Sequence, residues 1–435
     1  MMVAIIFQCN VVYSQESIEL LQSEGSEKSI VRELSPTSWL VYSNPGYHDF
    51  SIVNDDSTHV RIIRLPENLV KTVSDFKIYK DRVYLCGMLE IGLPYWGYFD
   101  YNEPEPYFYY IPTSKVEQLK HLVVYGSESE KLHVVMTADG HDGRGMIVEA
   151  MGVPYNWFMY YVTPFVNHDE NYAFDDIAIG EKYIAFTSYC TDDLMLIDTL
   201  HSRSIPLSRL WYIDKPSSVN NPAAYSLFNY RDLSYYTHGR FIVRNCQGDV
   251  FVTAADATQT YPIFMISSFY ISAYDGTSHL ATVEISPFSS QAKVRDLCYN
   301  PISMCTELLV STSTPAQSSF YTLLPSMAYA SGVAYGHRFD DCLANSIVRQ
   351  TSTSMQFIST AYNMLNTSNL DLIRYHSSYT GECSNLIKRE TKLIENDGAF
   401  IQGNKTVYDE AVILGGKKCY YKVVGIDPLC GNNNQ

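Results

Sequence analysis

The sequence predicts an all-β protein, a single β-propeller of seven four-stranded blades. Three observations support this prediction: a short phrase that recurs along the chain, roughly 45 to 65 residues between its copies, and about four strand-like runs in most intervals. The composition agrees, because 36 tyrosines with frequent Val, Ile and Thr suit pleated strands better than helices. Six or eight blades would follow from one misplaced boundary between residues 312 and 396.

The recurring phrase is clearest in residues 73–87, VSDFKIYKDRVYLCG. An apolar-x-Asp start opens a short apolar strand, a polar turn follows, and a second strand ends in Cys86-Gly87. The phrase returns in degraded form, with His121 in the place of Asp in one copy. The aspartates of the copies are Asp75, Asp176, Asp232, Asp296 and Asp409.

Each copy predicts a set of strands. The first unit is predicted at 75–79, 82–86, 96–101 and 107–111, and the second at 119 onward, 132–137, 146–150 and 157–162. The third follows Asp176 with 183–188, 194–197 and 204–207. The fourth follows Asp232 with 240–244, 250–254 and 263–266, padded by a hairpin at 269–274 and 279–285. The last units are predicted at 307–311 and 319–323, at 346–349, 355–360 and 370–374, and at 417–424.

The first and the last unit of the repeat array are both incomplete, and together they would make one blade. Strands at 39–43, 50–54 and 60–65 would complete the blade begun near Asp409. The sequence therefore predicts a ring closed by N- and C-terminal strands that share one blade.

The N-terminus indicates export. Residues 1–14 are apolar, too short to span a bilayer, and end in Val-Tyr-Ser, which is typical of a secretory signal peptide. A buried first strand is the alternative. We expect a signal peptide at 1–14, a polar leader at 15–35, a propeller domain at 36–430, and a secreted, periplasmic or cell-surface location. The nine cysteines that remain without Cys9 cannot all pair within one chain.

The charge of the chain excludes some partners. A net charge of -16 without any cluster of Lys and Arg argues against nucleic acid, because phosphate binding needs clustered cations. No apolar run after residue 14 is long enough for a membrane span. We expect a monomer without a cofactor, with bound calcium left open.

The recurring aspartates are candidate metal ligands. If each first strand is innermost, Asp75, Asp176, Asp232, Asp296 and Asp409 would ring the central channel and could bind a cation such as calcium. The alternative, which a repeat feature favours, is that each Asp accepts backbone N–H bonds where the chain enters a blade.

Three tryptophans are candidate ligand-binding residues. Trp157 and Trp211 lie 36 and 35 residues after His121 and Asp176, so they occupy matching places in successive blades. Together with Trp96 they could stack on sugar rings or grip a partner, because aromatic rings offer a large rigid area. Packing between blades is the alternative.

No catalytic motif was found. Neither Gly-x-Ser-x-Gly nor His-Glu-x-x-His occurs, and His lies close to carboxylates at residues 168–170 and 337–341. Solvated loop charges are the default interpretation of both clusters. Residues 139–145, rich in Asp and Gly, are predicted to be a hairpin tip and not a calcium loop.

The phrase at residues 73–87, followed by Gly-Tyr-Phe-Asp at 97–100, resembles secreted bacterial propellers of unassigned function. In blade shape the chain is also similar to WD40 and kelch propellers, although their diagnostic dipeptides are absent. The resemblance covers about residues 39–427 and implies the fold alone, since propellers carry many unrelated functions.

Two functions remain open. The first is a binding or scaffold protein that acts outside the cytoplasm on a glycan or protein partner. The second is a carbohydrate-active enzyme, a glycoside hydrolase or polysaccharide lyase, at the mouth of the channel. A deep pocket of perturbed acid and base groups would favour the enzyme, and a shallow aromatic patch would favour the binding protein. A structural module of a larger cell-surface assembly is a third hypothesis.

Overall fold

A computed structural model describes residues 17–20, 28–44, 49–54, 60–66, 69–102, 105–111, 114, 116–127, 131–141, 145–153, 156–162, 172–190, 196–198, 203–205, 208–215, 229–233, 241–256, 264–271, 278–285, 293–300, 305–313, 316–323, 334–340, 342–349, 356–363, 370–376, 387–390, 407–414 and 417–426. Within them, antiparallel strands form seven four-stranded sheets, a two-stranded hairpin and a three-stranded sheet. The architecture is all-β and propeller-like.

We number the four-stranded sheets 1 to 7 along the chain. Strand β1 (Ser17–Leu20) belongs to sheet 7. Sheet 1 consists of β2 (Lys28–Ser35), β3 (Ser38–Asn44), β4 (Asp49–Asn54) and β5 (Val60–Arg64). Sheet 2 consists of β6 (Val70–Tyr79), β7 (Arg82–Leu89), β8 (Pro94–Asp100) and β9 (Tyr107–Tyr110). Sheet 3 consists of β10 (Gln118–Ser127), β11 (Lys131–Asp139), β12 (Gly145–Val153) and β13 (Asn156–Val162).

Sheet 4 carries an insertion. It consists of β14 (Tyr172–Ile179), β15 (Tyr183–Cys190), β18 (Ser208–Asp214) and β19 (Asn229–Leu233), and a separate hairpin, β16 (Leu196–Asp198) and β17 (Arg203–Ile205), lies between its second and third strands in the chain. Sheet 5 consists of β20 (Phe241–Gln247), β21 (Val250–Ala255), β22 (Phe264–Ile271) and β23 (Ser278–Ile285).

Sheet 6 consists of β24 (Lys293–Asn300), β25 (Cys305–Ser313), β26 (Ala316–Leu323) and β27 (Ala334–Asp340). Sheet 7 consists of β28 (Cys342–Arg349), β29 (Gln356–Asn363), β30 (Leu370–His376) and the early strand β1. The three-stranded sheet consists of β31 (Ile387–Glu390), β32 (Val407–Leu414) and β33 (Lys417–Ile426).

Successive sheets pack face to face. Phe50 of sheet 1 has its ring centroid 5.0 Å from that of Phe76 and 5.4 Å from that of Phe99, both in sheet 2. Sheets 3 and 4 share a second apolar cluster around Val135 and Trp211. Apolar clusters thus join neighbouring sheets, as the blades of a propeller require.

Both faces of β7 are buried, which explains its continuous apolar sequence. Val83 and Leu85 belong to the cluster shared with sheet 1, whereas Tyr84 and Cys86 belong to the cluster shared with sheet 3. Side chains alternate between the two faces of a strand, so a strand with two buried faces needs apolar residues at every position. The strand predicted at 82–86 is therefore confirmed.

The first strands of the sheets, here called the inner strands, lie side by side. Strand β6 contacts β10, β10 contacts β14, and the same relation continues through β20, β24 and β28. Strand β28 also contacts β2, which begins sheet 1. The inner strands thus form one continuous series of neighbours.

The predicted units at Asp75, His121 and Asp296 are confirmed, since each begins a four-stranded sheet at nearly the predicted strands. The third and fourth units were partly wrong. The described residues at the strands predicted at 194–197 and 204–207 belong to the inserted hairpin β16–β17 and not to sheet 4. The phrase at Asp232 lies in β19, the last strand of sheet 4, and does not begin a unit.

Sheet 5 begins at Phe241, and the strands predicted at 263–266 and 269–274 are one strand, β22. The hairpin predicted at 269–274 and 279–285 corresponds to the pairing of β22 with β23, but these are the regular third and fourth strands of sheet 5 and not an addition to it. The error arose because an apolar-x-Asp phrase of three residues also fits an outer strand with alternating apolar positions.

The two ends of the chain also differ from the prediction. The described residues of the segment 15–35 form strands β1 and β2, and Val31 is fully buried. Sheet 1 is complete without any strand from the region of Asp409, which lies in the three-stranded sheet. Instead, Ser17–Leu20 pairs with Leu370–His376 in sheet 7. Residues 1–14 lie outside the described residues.

No helix long and apolar enough to cross a membrane occurs in the described part of the chain.

Candidate functional site

The recurring phrase is a β-bulge. In β6, β14 and β24 the pairing register shifts at the x residue, directly before Asp75, Asp176 and Asp296. The same shift precedes His121 in β10 and Ser346 in β28. A bulge inserts one residue and re-aims the next side chain. The spacing of the phrase therefore places one polar side chain at an equivalent point of five inner strands.

The three aspartates share one hydrogen-bonding geometry. In each, Oδ1 accepts a bond of 2.9 Å from the N–H of the following residue. Oδ2 accepts a bond from the inner strand of the next sheet: Leu122 for Asp75 at 3.3 Å, Val243 for Asp176 and Ile347 for Asp296 at 3.2 Å. Each carboxylate therefore ties its own sheet to the next one.

Basic side chains lie between these carboxylates. Arg244 of sheet 5 donates to Asp176 of sheet 4 and to Asp296 of sheet 6. His121 of sheet 3 has its Nδ1 3.5 Å from Asp75 Oδ2 and 3.6 Å from Asp176 Oδ1. Acidic and basic residues thus alternate from sheet 2 to sheet 6.

Sheets 1 and 7 complete the series. Arg32 of sheet 1 donates to Asp75 Oδ1 at 3.1 Å, and its Nη1 lies 3.4 Å from Ser346 Oγ of sheet 7. Ser346 donates to Asp296 at 3.0 Å and accepts a bond of 3.3 Å from the N–H of Val31. We call Arg32, Asp75, His121, Asp176, Arg244, Asp296 and Ser346 the polar belt.

Burial and charge act in opposite directions on the belt carboxylates. Burial alone would raise the pKa of Asp75, but Lys77, His121 and Arg32 together hold that pKa well below its ordinary value. The Nζ of Lys77 lies 3.1 Å from Asp75 Oδ2. The carboxylate is therefore ionised at neutral pH and is not suited to be a general acid.

The same balance holds at the other end of the belt. Burial alone would raise the pKa of Asp296. Arg244, Arg32 and the backbone N–H groups of Ile347 and Leu297 outweigh burial and hold the pKa below its ordinary value. Burial would lower the pKa of Arg244, and the neighbouring carboxylates raise it instead. Asp75 and Asp296 are therefore carboxylates, and Arg244 is a guanidinium cation that offsets part of their charge.

These contacts give Asp75, Asp176 and Asp296 the backbone-bonding role that was the alternative to metal binding. Asp232 is in an outer strand and Asp409 lies outside sheets 1 to 7, so neither belongs to the belt. No group of three or more His, Cys, Asp or Glu that could hold a metal occurs among the described residues. Metal binding by the aspartates stays a prediction.

Two of the three candidate tryptophans are core residues. Trp96 is fully buried between sheets 2 and 3, stacked on Tyr109 at 4.6 Å and edge-on to Trp157 at 4.8 Å. Trp211 is also buried, and its indole N–H donates to Ser188 Oγ at 2.6 Å. The expectation of exposed indole faces is wrong for Trp96 and Trp211, because adjacent sheets cover both faces of their strands.

The exposed aromatic residues lie instead on the outermost strands of sheets 2 and 3. Tyr110 in β9 is 52% exposed and Phe158 in β13 is 55% exposed. Trp157, beside Phe158, is partly buried and lies 6.4 Å from Tyr109. We call Tyr107–Tyr110 and residues 156–159 the aromatic rim.

A second titratable cluster lies where β10 begins. Lys120 Nζ lies 2.9 Å from Asp139 Oδ1 and donates to the carbonyl of Phe174 at 2.7 Å. Burial raises the pKa of the Asp139 carboxyl, and Lys120 only partly offsets this. Burial also raises the pKa of Tyr189, and the charge of Lys120 partly offsets that rise. Lys120 is the bulge residue before His121, so the repeat predicts its position but not its partners.

The remaining candidates lie elsewhere. Asp139 pairs with Gly145 across the end of β11 and β12, so the predicted hairpin at residues 139–145 is confirmed. Residues 168–170 lie outside the described residues, and His337 to Asp340 belong to β27. The sequence reasoning missed Arg32, Lys77, Arg244 and Ser346. The signal for Ser346 was present, because it occupies the Asp place of the phrase, but the three basic residues follow no motif.

Comparisons with known proteins give no family. No protein-family model and no curated protein matches this chain. Among solved structures, an ulvan lyase of polysaccharide lyase family PL25 has a TM-score of 0.49 at 10% identity, over 85% of this chain and 96% of the lyase. Prolyl oligopeptidase B from Galerina marginata has a TM-score of 0.44 at 10% identity over 85% of this chain. This chain spans about half the length of that peptidase, 53%.

A puromycin hydrolase has a TM-score of 0.42 at 10% identity and is matched over 69% of this chain and 47% of its own length.

Proposed function

We propose that this chain is a binding or scaffold protein built on a closed ring of seven blades, and that a protein partner docks on its aromatic rim. We place it outside the cytoplasm, as a monomer exported by a signal peptide at residues 1–14. The exposure of Phe158 and Tyr110 on the outermost strands of neighbouring sheets is the observation that carries the binding role.

The polar belt supports the seven-bladed ring. Acidic side chains stand in sheets 2, 4 and 6, and basic ones in sheets 1, 3 and 5. Strict alternation of acidic and basic residues cannot close around an odd number of places, because two residues of the same kind would meet. Ser346, which is uncharged, fills the seventh place between Asp296 and Arg32. A neutral residue at that single place is what a closed ring of seven needs.

The composition of the rim favours a protein partner. Phe158 has no polar atom, and β9 and β13 are the last strands of their sheets, with no further strand paired to them in the described part of the chain. An uncovered sheet edge offers backbone N–H and C=O groups to an incoming strand, and exposed aromatic rings supply apolar contact. Proteins rarely leave such an edge aromatic without a use for it.

The test compares two exposed apolar residues of neighbouring sheets. Extracellular material from cultures that produce the protein is passed over immobilised wild-type protein, Phe158→Ser and Ile91→Ser. Ile91 is 72% exposed but lies in the turn after β7 and belongs to neither of the two rim segments. We expect wild type and Ile91→Ser to retain the same partner and Phe158→Ser to lose it. Equal retention by all three would contradict docking on the rim.

A glycan partner is the second outcome of the binding test. Melting temperatures of the mature protein are measured with oligosaccharides, divalent cations and a chelator. A ligand that binds only the folded state raises the melting temperature. A shift with a sugar that Phe158→Ser abolishes would replace the protein partner by a glycan at the same rim.

The alternative function, a carbohydrate-active enzyme, draws on the cluster at Asp139. A half-buried carboxyl whose pKa is raised by burial, beside Lys120, is the kind of group that can act as a general acid. Product formation from an oligosaccharide, lost in Asp139→Asn but kept in Asp142→Asn nearby in the chain, would favour the enzyme. Absence of product with every oligosaccharide that shifts the melting temperature would favour the binding protein.

A further inference from the structure

The polar belt, together with Lys77 beside Asp75, exposes its cations to solvent and buries its carboxylates. The side chains of Arg32, Lys77 and Arg244 are 18%, 25% and 20% exposed. Those of the carboxylates are only 2% exposed for Asp75 and Asp176 and 5% for Asp296. Because all of them project from inner strands, the surface that solvent reaches between those strands is mainly cationic.

The cations keep unused hydrogen-bond donors. Lys77 contacts only the Asp75 carboxylate within the described residues, which leaves two of its three ammonium hydrogens. Arg32 donates from Nη1 to Val31 O and to Ser346 Oγ, and from Nη2 to Asp75. Its Nε–H and one Nη2–H therefore remain. Burial and the charge of Arg32, with a further contribution from Arg244, lower the pKa of Lys77, so the three cations act on one another.

The acceptors, by contrast, are occupied. Asp75 Oδ1 accepts from Phe76 and Arg32, while Oδ2 accepts from Leu122 and also contacts Lys77 and His121. A metal ion would need these oxygens free. Three carboxylates face Arg32, Arg244 and Lys77, so these groups leave no excess of negative charge to attract a cation.

We propose that the space between the inner strands, lined by Arg32, Lys77 and Arg244, is a binding site for an oxyanion, that is a sulfate, phosphate or carboxylate group. Free donors and partly exposed cations match such a group, and guanidinium forks bind it in two-pronged fashion. The proposed site binds an anion, whereas the site predicted from the aspartates would bind a cation. It lies on the inner strands and is separate from the aromatic rim on the outermost ones.

The test measures binding of inorganic sulfate, inorganic phosphate and glucuronate to the full chain by calorimetry, at constant ionic strength set with sodium chloride. We expect saturable binding of at least one of them. Lys77→Gln should weaken it about tenfold or more, since hydrogen bonds from a charged donor are stronger than those from a neutral amide. Lys77→Gln should still fold, because Asp75 keeps Arg32 and two backbone N–H groups.

The matched control is Lys71→Gln, an exposed lysine on the same strand. It should leave the affinity unchanged. Binding of the inorganic ions assigns the site to a free anion, and binding of glucuronate alone assigns it to the carboxylate of a larger ligand. The proposal is overturned if none of the three binds, or if Lys71→Gln weakens binding as much as Lys77→Gln. Neither result would bear on docking at the aromatic rim.

Discussion

Arg244 donates two hydrogen bonds to a single oxygen of Asp296, from Nε at 3.1 Å and from Nη2 at 2.6 Å. The same guanidinium also donates to Asp176 and to the carbonyl of Val243. One side chain of sheet 5 therefore contacts sheets 4 and 6. Only a planar fork with several fixed donors can do this, so a lysine is not an equivalent residue.

Arg244→Leu should lower the free energy of unfolding by about 3–5 kcal/mol, since it leaves two buried carboxylates without their main cation. Urea unfolding followed by tyrosine and tryptophan fluorescence measures this. Arg231→Gln, an exposed arginine in β19, is the control and should stay within about 0.5 kcal/mol of wild type. A loss below about 1 kcal/mol for Arg244→Leu would contradict a stabilising belt.

Stability should fall in acid because of the belt carboxylates. A carboxyl whose pKa in the folded state lies below its unfolded value stabilises the fold above the unfolded pKa, and this stabilisation is lost as the pH falls through the folded pKa. The pKa values of Asp75 and Asp296 both lie below the ordinary 3.8. We expect the melting temperature to fall increasingly steeply as the pH drops below about 4.

The control for this pH dependence is a pair of variants. Asp75→Asn should be less stable at pH 7 and should lose part of the acid dependence, because its side chain no longer titrates. Asp81→Asn, in the exposed turn after β6, should keep the wild-type curve. Parallel curves for wild type and Asp75→Asn would show that the carboxylate contributes nothing through its charge.

Trp96 should behave as a core residue and not as a ligand platform. Trp96→Ala should cost about 3–5 kcal/mol, because it empties a fully buried space against Tyr109 and Trp157. Phe158→Ala, on the exposed rim, should cost no more than about 0.5 kcal/mol. Thermal unfolding of the isolated protein distinguishes them. Similar stabilities for the two variants would contradict the burial of Trp96.

Gly97 should not tolerate a side chain. A Cβ at this position would lie 2.4 Å from the carbonyl oxygen of Tyr107, so the outermost strand β9 would have to move. We expect Gly97→Ala to cost about 1–3 kcal/mol. Gly92→Asn is the control: Gly92 has φ of +77° and no neighbour within 4 Å, and Asn tolerates that conformation best. A neutral Gly97→Ala would contradict the close approach of β8 and β9.

The repeat could be predicted where the phrase is built into local structure. The apolar-x-Asp spacing is a bulge, which is set by neighbouring residues of one strand, so Asp75, His121 and Asp296 marked their sheets correctly. Sheet 4 was misread because a hairpin is inserted between β15 and β18, and no local pattern separates an inserted strand from a regular one.

The partners of the belt could not be predicted, because they are distant in the chain. Arg32 is 43 residues from Asp75, and Arg244 is 52 residues from Asp296. Nothing in the local sequence of either arginine indicates a buried carboxylate. The exposure of an aromatic residue also depends on tertiary packing. Trp96 and Phe158 are both aromatic residues in predicted strands, but Trp96 is fully buried and Phe158 is 55% exposed.

A measurement at the contact between sheets 7 and 1 tests the closed belt most directly. The N–H of Val31 donates to Ser346 Oγ, a contact that joins residues 315 positions apart. Hydrogen exchange of the peptide that covers Lys28–Ser35 is measured in wild type and in Ser346→Ala, with the peptide of Lys131–Asp139 as internal reference. A closed belt predicts faster exchange in Ser346→Ala at Lys28–Ser35 and no change in the reference. Unchanged exchange at Lys28–Ser35 would contradict it.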